Sequence, residues 1–291
     1  MGEVYLAKHK ELDTPVAIKV LNEDISEDRD HVQRFFNEAR IVSRIKQAGT
    51  IKIFDSGLLK GHAYLVMELL EGESLSARLE HGPMPVAEAL DVGRQIASVL
   101  DATHRSGVTH RDLKPDNIYL VGDDERASGE RVKVLDFGIA KLSGGTLAAA
   151  SPKTSGTMGT PAYMAPEQWG DSAAVDWRAD AYSLGCVIFE MVCGRPPFVA
   201  SSIPEAYTKH VHTQPPSPRS LDPAIPVEVD ELILRLLAKD PADRAVSMGQ
   251  VVRELEALAT GRTVTDVQDV IATRPSRPDR TPVKEIGRAH V

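Results

Sequence analysis

The sequence predicts an α+β protein of two parts, a small β-rich N-terminal part with one main helix and a larger, mostly helical C-terminal part. Two observations predict this architecture. Within roughly the first 70 residues, apolar residues alternate in four short runs and recur at helical spacing in one longer run. Beyond Asp176, helical patterns dominate. A chain of 291 residues is long enough for two parts that each bury a core.

Four strands and one helix are predicted in the N-terminal part. The helix runs from Asp30 to Ile45, because apolar residues recur at positions 32, 35, 36, 39, 42 and 45, as on one face of a helix. Alternating apolar residues predict four strands: Val4 to Ala7, Val16 to Val20, Ile51 to Asp55 and Ala63 to Glu68. These elements predict a small sheet with one helix.

Helices are predicted to begin and end at recognisable residues in the C-terminal part. One helix runs from Val86, just after Pro85, to His104, and Gly107 closes it. The spacing of Ser247 and Gln250 is that of a capping box, which predicts the start of a last helix that ends near residue 259.

Charge and cysteine content exclude several classes of protein. The chain carries 34 Lys plus Arg against 42 Asp plus Glu, a net charge of −8, which opposes nonspecific binding to nucleic acids or anionic membranes. Cys186 and Cys193 lie on one predicted helix, about 10 Å apart, too far for a disulfide. They indicate thiols in a reducing cytoplasm. The most apolar segment, Ala181 to Cys193, is too short to span a membrane.

Four ordered motifs carry the chemistry. The run from His110 to Asn117 is preceded by Val16 to Lys19 and followed by Asp136-Phe137-Gly138 and then by Ala165-Pro166-Glu167. Each motif alone is a weak signal, but their order and spacing match the protein-kinase signature set. With the segment from Gly159 to Gln168, the chain resembles the bacterial, eukaryotic-like Ser/Thr protein kinases.

The resemblance implies the two-lobed protein-kinase fold and a division of the chain. The family's glycine-rich loop has three glycines, and Gly2 looks like the third, so the first strand and two glycines are absent here. Residues 285–291 are similar to a translated sequencing adapter and are expected not to be native, which suggests a gene fragment that lacks any membrane segment of a longer protein. The expected divisions are a kinase domain at 1–259, with an N-lobe at 1–67, a hinge at 68–73 and a C-lobe at 74–259, and a tail at 260–291.

The resemblance implies an ATP site between the lobes. Lys19 would bind the α- and β-phosphates, and Glu38, on the inward face of the predicted helix, would hold its flexible side chain. The remaining nucleotide-binding residues are the backbone groups of Glu68 and Leu70, which would read the adenine edge, and Gly2, Val4, Ala17 and Tyr119. An aliphatic residue is commoner in the family at the position of Tyr119.

Catalytic and metal-binding roles follow in the same way. Asp112 would accept the proton of the substrate hydroxyl, and Lys114 would steady the transferring phosphate, as in Ser/Thr-specific kinases. Asn117 and Asp136 supply the hard oxygen ligands that Mg²⁺ prefers, so ATP is expected to bind as its magnesium complex.

Two further pairs of residues are expected to be structural. In the family, the residues at His110 and Phe137 pack in an internal stack with Val42 and Ile53, so a catalytic role for His110 is not expected. The family also ties Glu167 to Arg244 by a buried ion pair, whose disruption would leave an unpaired charge.

The expected activity is ATP-dependent phosphorylation of protein Ser/Thr hydroxyls, with autophosphorylation of the activation segment in a transient homodimer. Arg111 would pair with a phosphate on that segment, for which Thr154 is favoured over Ser155 and Thr157, whereas Thr160 is expected to be structural. Two alternatives stay open: a noncatalytic kinase-like scaffold, favoured by the missing glycines, and a small-molecule phosphotransferase, which would be expected to lack the long activation segment.

Overall fold

A four-stranded antiparallel sheet and one helix form the N-terminal lobe. The computed structural model describes residues 2–22, 26, 29–137, 161–170, 175–245 and 247–261, apart from the side chains at positions 30, 34 and 38. The strands lie in the order β1-β2-β4-β3. The elements of this lobe are β1 (Gly2–Lys8), β2 (Pro15–Leu21), α1 (Arg29–Val42), β3 (Ile53–Leu59) and β4 (His62–Glu68).

The third strand is displaced from its predicted position, Ile51 to Asp55. Thr50 forms a parallel bridge with Val134 of the other lobe, so the chain joins the N-terminal sheet only at Ile53. From there β3 continues to Leu59, where a turn with positive φ at Lys60 and Gly61 leads into β4. The prediction therefore identified the strand but placed both of its ends too early.

Helix α1 is shorter than predicted. It ends at Val42 rather than Ile45, and the N–H of Ile45 bonds to the carbonyl oxygen of Val42 at 3.1 Å, three residues back. The apolar spacing continues through this tighter turn, where Ile45 is buried, so periodicity alone could not locate the end.

The C-terminal lobe combines a three-stranded antiparallel sheet, ordered β5-β6-β7, with seven helices among the described residues. The sequence patterns above do not predict this sheet. Its strands are β5 (Gly72–Ser74), β6 (Ile118–Gly122) and β7 (Glu130–Val134). The helices are α2 (Leu75–Leu79), α3 (Val86–Arg105), α4 (Arg178–Cys193), α5 (Ile203–His212), α6 (Pro218–Leu221), α7 (Val227–Leu236) and α8 (Met248–Ala259).

The predicted ends of two of these helices are confirmed. Helix α3 begins at Val86 and ends one residue beyond His104, and Gly107 has the positive φ of 78° that favours glycine after a helix. The Ser247 side chain accepts a hydrogen bond from the N–H of Gln250 at 3.2 Å, which caps α8.

Helix α4 lies at the centre of the C-terminal lobe. Nearly all of its side chains are buried, including those of Tyr182 and Phe189, and Cys186 and Cys193 are free thiols on it, as predicted. A Cβ atom at Gly185 would lie 2.8 Å from Cβ of Leu236, so glycine allows α4 to approach α7 closely. This helix forms the rigid base on which the candidate site is built.

The expected ion pair between Glu167 and Arg244 is confirmed. The guanidinium donates to both carboxylate oxygens at 2.7 and 3.0 Å, and the Arg244 side chain is fully buried. It also donates to the carbonyl oxygens of Ala238 and Arg178, and its charge lies 5.0 Å from the ring centre of Tyr182. The pair joins the segment before α4 to the segment before α8.

Replacing Glu167 with glutamine should lower the free energy of unfolding by about 3 kcal/mol, because Arg244 would keep a buried charge without a carboxylate partner. Chemical denaturation measures the change. The control is Glu256→Gln at an exposed position of α8, which should change stability by less than about 0.5 kcal/mol. Equal stability of the two variants would contradict the structural role of the pair.

Candidate active site

Strand β2 presents Lys19 and Ala17 on one face of the N-terminal sheet. Val4 lies opposite Lys19 on β1, and Met67 lies opposite Ala17 on β4, so these side chains share the same face. Ala17 is buried, whereas Val4 is 60% exposed. This arrangement is consistent with a cleft that has one apolar wall and a single cation.

The close approach of two strands in the sheet is one reason for glycine at position 2. A Cβ atom at this position would lie 2.0 Å from the carbonyl oxygen of Val20 on the neighbouring strand. No side chain fits there without moving the backbone. The predicted contact between Gly2 and a phosphate stays a prediction.

Lys19 forms an ion pair with Asp136, which brings a residue of the small sheet to the segment after β7. Asp136 has a φ of 51°, in the left-handed region that a non-glycine residue rarely adopts. The predicted partner Glu38 lies on α1, but its side chain is outside the described residues, so that pairing stays a prediction. In this pair the cation and the predicted metal ligand neutralise each other.

The loop before β6 holds the predicted catalytic residues together. Asn117 donates its side-chain N–H to the carbonyl oxygen of Asp112 at 2.8 Å, and its backbone oxygen accepts from Leu135 N at 2.8 Å. Lys114 lies 3.9 Å from the carboxylate of Asp116, and only a small part of its side chain is exposed. Asn117 is therefore fixed by one bond from its side-chain nitrogen and one to its backbone oxygen. Neither bond uses its side-chain amide oxygen.

The buried carboxylate of Asp180 on α4 fixes the start of this loop. It accepts hydrogen bonds from the backbone N–H groups of His110 and Arg111, both at 2.7 Å, and its Oδ2 lies 2.7 Å from Nε2 of His104. Arg111 has a φ of 61°, a strained conformation that needs such fixed partners. Sequence reasoning missed Asp180 and His104, whose only signal is a polar residue within each apolar helical pattern.

His110 has a packing role, as expected. Its ring centre lies 4.8 Å from that of Phe137, and both side chains are buried. Its Nδ1 accepts from the N–H of Asp112 at 3.2 Å, which leaves Nε2–H to donate to the carbonyl oxygen of Leu135 at 2.9 Å. Both ring nitrogens are thus committed to backbone groups. Val42 lies in the same apolar cluster, with Ile53 packed against it.

A second ion pair, which is largely buried, crosses between the lobes at the predicted hinge. Lys133 of β7 donates to Glu68 Oε1 at 2.6 Å and to the carbonyl oxygen of Thr50 at 3.2 Å. The same carboxylate oxygen of Glu68 accepts from Lys52 N at 2.8 Å. The backbone N–H of Glu68 bonds to the Lys52 oxygen at 2.9 Å, and the predicted adenine contact of Glu68 stays a prediction. The sequence analysis missed Lys133, although it is a charged residue inside an apolar strand.

The remaining predicted residues lie near the hinge. Leu70 is partly buried against the main apolar core, between β4 and β5. Tyr119 lies on β6, opposite Ser74 and Lys133 on the neighbouring strands. Their contacts with adenine stay predictions.

The expected regulatory residues are only partly described. The guanidinium of Arg111 donates to the carbonyl oxygen of Val175 at 2.9 Å, and burial lowers its pKa. Residues 138–160, which include Thr154, Ser155, Thr157 and Thr160, lie outside the described residues. Tyr163, just beyond them, donates to Glu190 at 2.5 Å, and burial raises the pKa of that carboxyl.

Among the described residues, no group of three or more His, Cys, Asp or Glu side chains could hold a metal ion. Mg²⁺ does not need one, because it usually binds one or two protein oxygens and completes its shell with water and substrate phosphates. The carboxylate of Asp136, nearly half exposed, and the amide oxygen of Asn117 fit that requirement. Magnesium binding by these two residues stays a prediction.

Comparisons with known proteins agree with this geometry. The family model for the protein kinase domain matches residues 1–254. Serine/threonine-protein kinase Pkn1 of Myxococcus xanthus is 41% identical over 250 residues, 85% of this chain and 35% of that protein. Serine/threonine-protein kinase PknE of Mycobacterium tuberculosis is 37% identical over 270 residues, 92% of this chain and 45% of that protein. The chain thus spans less than half the length of these relatives.

A solved structure shows the same fold. The crystal structure of the Mycobacterium tuberculosis PknI kinase domain is similar with a TM-score of 0.66 and 27% identity, over 88% of this chain and 90% of that one. The two-lobed fold predicted from the motifs is confirmed.

Replacing Asp180 with asparagine should loosen the start of the loop, because an amide nitrogen cannot accept the hydrogen bonds that one carboxylate oxygen accepts now. Amide hydrogen exchange should accelerate by about tenfold or more at whichever of His110 and Arg111 loses its acceptor, as expected for the loss of a bond to a charged group. Asp124→Asn, at an exposed position, is the control. Unchanged exchange at both amides would show that Asp180 does not hold the loop.

Proposed function

The chain belongs to the protein kinase family, and from that premise we propose that it transfers the γ-phosphoryl group of ATP to serine or threonine hydroxyls of proteins. The convergence of Lys19 and Asp136 from opposite lobes is the observation that carries this proposal. A cation paired with a potential metal ligand suits a site that binds a magnesium-nucleotide complex. A noncatalytic scaffold would need neither group.

Phosphoryl transfer requires mainly the positioning of two oxygens and the neutralisation of charge. Asp112 would accept the proton of the attacking hydroxyl, and Lys114 would lie beside the transferring group. Asn117 and Asp136 would hold Mg²⁺, which supplies positive charge to the phosphates when it is bound. The hydrogen bond from Asn117 to the Asp112 backbone supports this assignment, because it couples a metal ligand to the base.

Nucleotide binding would require Lys19 to exchange partners. The ammonium and the Asp136 carboxylate would each leave the other, one for the phosphates and the other for the metal ion. The side chain of Asp136 is 45% exposed and that of Lys19 is 18% exposed, so solvent screens the pair in part and lowers the cost of the exchange. The ion pair thus already holds the two groups close to each other, where the nucleotide and its metal ion would bind them.

We place the domain in the cytoplasm, where ATP and reduced thiols occur together. The free thiols of Cys186 and Cys193 support this location. No helix in the described part of the chain is long and apolar enough to cross a membrane. The partners would be ATP and Ser/Thr-containing proteins, including a second copy of the chain in a transient homodimer.

Asp112→Asn should reduce phosphate transfer to a generic protein substrate by about 10³-fold, while the Kd for ATP stays within about threefold, because the carboxylate orients the hydroxyl and does not hold nucleotide. Labelled ATP measures transfer, and calorimetry measures binding. Asp124→Asn should retain full transfer. A variant that keeps more than a tenth of the parent rate would exclude Asp112 as the base.

Asp136→Asn should remove most of the effect of magnesium on ATP affinity. In the parent chain, saturating Mg²⁺ should tighten ATP binding about tenfold or more, because the ion links this carboxylate to the phosphates. Titrating ATP binding against magnesium concentration compares the two proteins. An identical magnesium dependence would contradict the assignment.

Autophosphorylation should occur between Ser151 and Thr157, with Thr154 as the main site. A phosphate adds about −1.5 to −2 charges, of which Arg111 would neutralise one. Mass spectrometry after incubation with Mg·ATP locates the group, and the Asp112→Asn variant is the control. An active enzyme without phosphate in this interval would refute the switch.

A further inference from the structure

A small polar pocket lies apart from the candidate active site, where the loop after α1 meets the C-terminal lobe. Its volume is about 60 Å³. Three arginines line it: Arg94 from α3, Arg126 from the loop between β6 and β7, and Arg131 from β7. None of them takes part in the proposed phosphoryl transfer.

The charges around this arginine pocket do not balance. Asp91 accepts from Arg94 at 2.6 Å and from Arg126 at 3.4 Å, while Arg131 pairs with Asp123. Within these ion pairs, three guanidinium groups therefore share two carboxylates, an excess of one positive charge.

Arg126 also carries a buried donor without an acceptor. Its Nε atom is inaccessible to solvent and has no hydrogen-bond partner, and its pairing with Asp91 is long at 3.4 Å. Buried donors are usually satisfied, so this one indicates a missing acceptor. A guanidinium has five N–H donors in a fixed planar arrangement, and the two aspartates use only a few of the fifteen available.

The wall of the pocket is fixed before any ligand binds. Gln47 donates to the hydroxyl of Ser98 at 3.0 Å and accepts from Gly49 N at 2.9 Å. Gln95 bonds to Asp91 at 3.0 Å and to the backbone N–H of Val132 at 3.0 Å. A site held by such bonds does not need to be ordered by its ligand, which lowers the cost of binding.

We propose that this pocket binds a phosphate group, either as inorganic phosphate or as a phosphorylated Ser or Thr side chain. A tetrahedral dianion matches the excess charge, and its several oxygens can accept from guanidinium groups that approach from three elements. The volume of about 60 Å³ is sufficient for such a group, since one water needs only about 10–15 Å³ on the same measure. The proposal does not depend on the chain being an active kinase.

Nuclear magnetic resonance of the arginine side chains tests the proposal directly. Inorganic phosphate is titrated into the ¹⁵N-labelled chain at constant ionic strength, and the Nε–H signals are followed. The signals of Arg126, Arg94 and Arg131 should shift and saturate together. Arg105 lies on the same helix as Arg94, largely exposed and outside the pocket, so its signal should not follow theirs. No shift, or an equal shift at Arg105, would overturn the proposal.

Two matched variants separate the pocket from general charge effects. Arg126→Gln should weaken phosphate binding, followed at Arg94, by about tenfold, as expected for the loss of charge-assisted bonds. Arg105→Gln also removes one positive charge, but from α3 outside the pocket, and should change the affinity less than twofold. Equal weakening in both variants would contradict a specific site.

A third titration identifies the source of the phosphate. Blocked phosphothreonine is compared with inorganic phosphate on the same signals. Tighter binding of phosphothreonine would assign the pocket to a phosphorylated side chain, and binding of inorganic phosphate alone would assign it to the free anion. Failure of both ligands to bind would refute the proposal, whatever the transfer activity of the chain.

Discussion

The geometry of the candidate site depends on the buried carboxylate of Asp180. This group receives two backbone N–H bonds from His110 and Arg111, which begin the loop before β6, and a third contact from His104. These bonds help to offset the strain of the left-handed conformation at Arg111, whose carbonyl oxygen also accepts from the Gln168 side chain at 2.9 Å. Helix α4 is almost fully buried, so the position of Asp180 is fixed by the core. Its hydrogen bonds in turn fix His110 and Arg111, the two residues before Asp112. The loop is therefore in place before any substrate binds.

The two ion pairs between the lobes differ in burial, and we expect them to differ in how easily they exchange partners. The pair between Lys133 and Glu68 is largely buried and joins the two lobes at the predicted hinge, and breaking it would leave a buried charge without its partner. The pair between Lys19 and Asp136 is partly exposed, so solvent can replace either partner. We therefore expect the pair between Lys133 and Glu68 to stay intact when the pair between Lys19 and Asp136 separates to bind a ligand.

The sequence predicted those parts of the fold and of the candidate site that depend on local patterns. Lys19, Asp112 and Asn117 belong to motifs of fixed spacing, which can be identified without knowledge of the fold. Asp180 and Lys133 act through partners 70 and 65 residues away, and no local pattern encodes such contacts. The short sheet formed by β5, β6 and β7 was missed because its strands have three to five residues, too few for alternation to distinguish.

A crystal structure of the chain with Mg²⁺ and a nonhydrolysable ATP analogue would show whether Asp180 holds the loop while Lys19 changes partners. We expect all three contacts of Asp180 and the positive φ of Arg111 to persist, Lys19 to contact phosphate oxygens, and Asp136 and Asn117 to bind the metal ion. If Lys19 still pairs with Asp136 in that structure, or if the loop has left Asp180, the proposed exchange on a preformed loop is wrong.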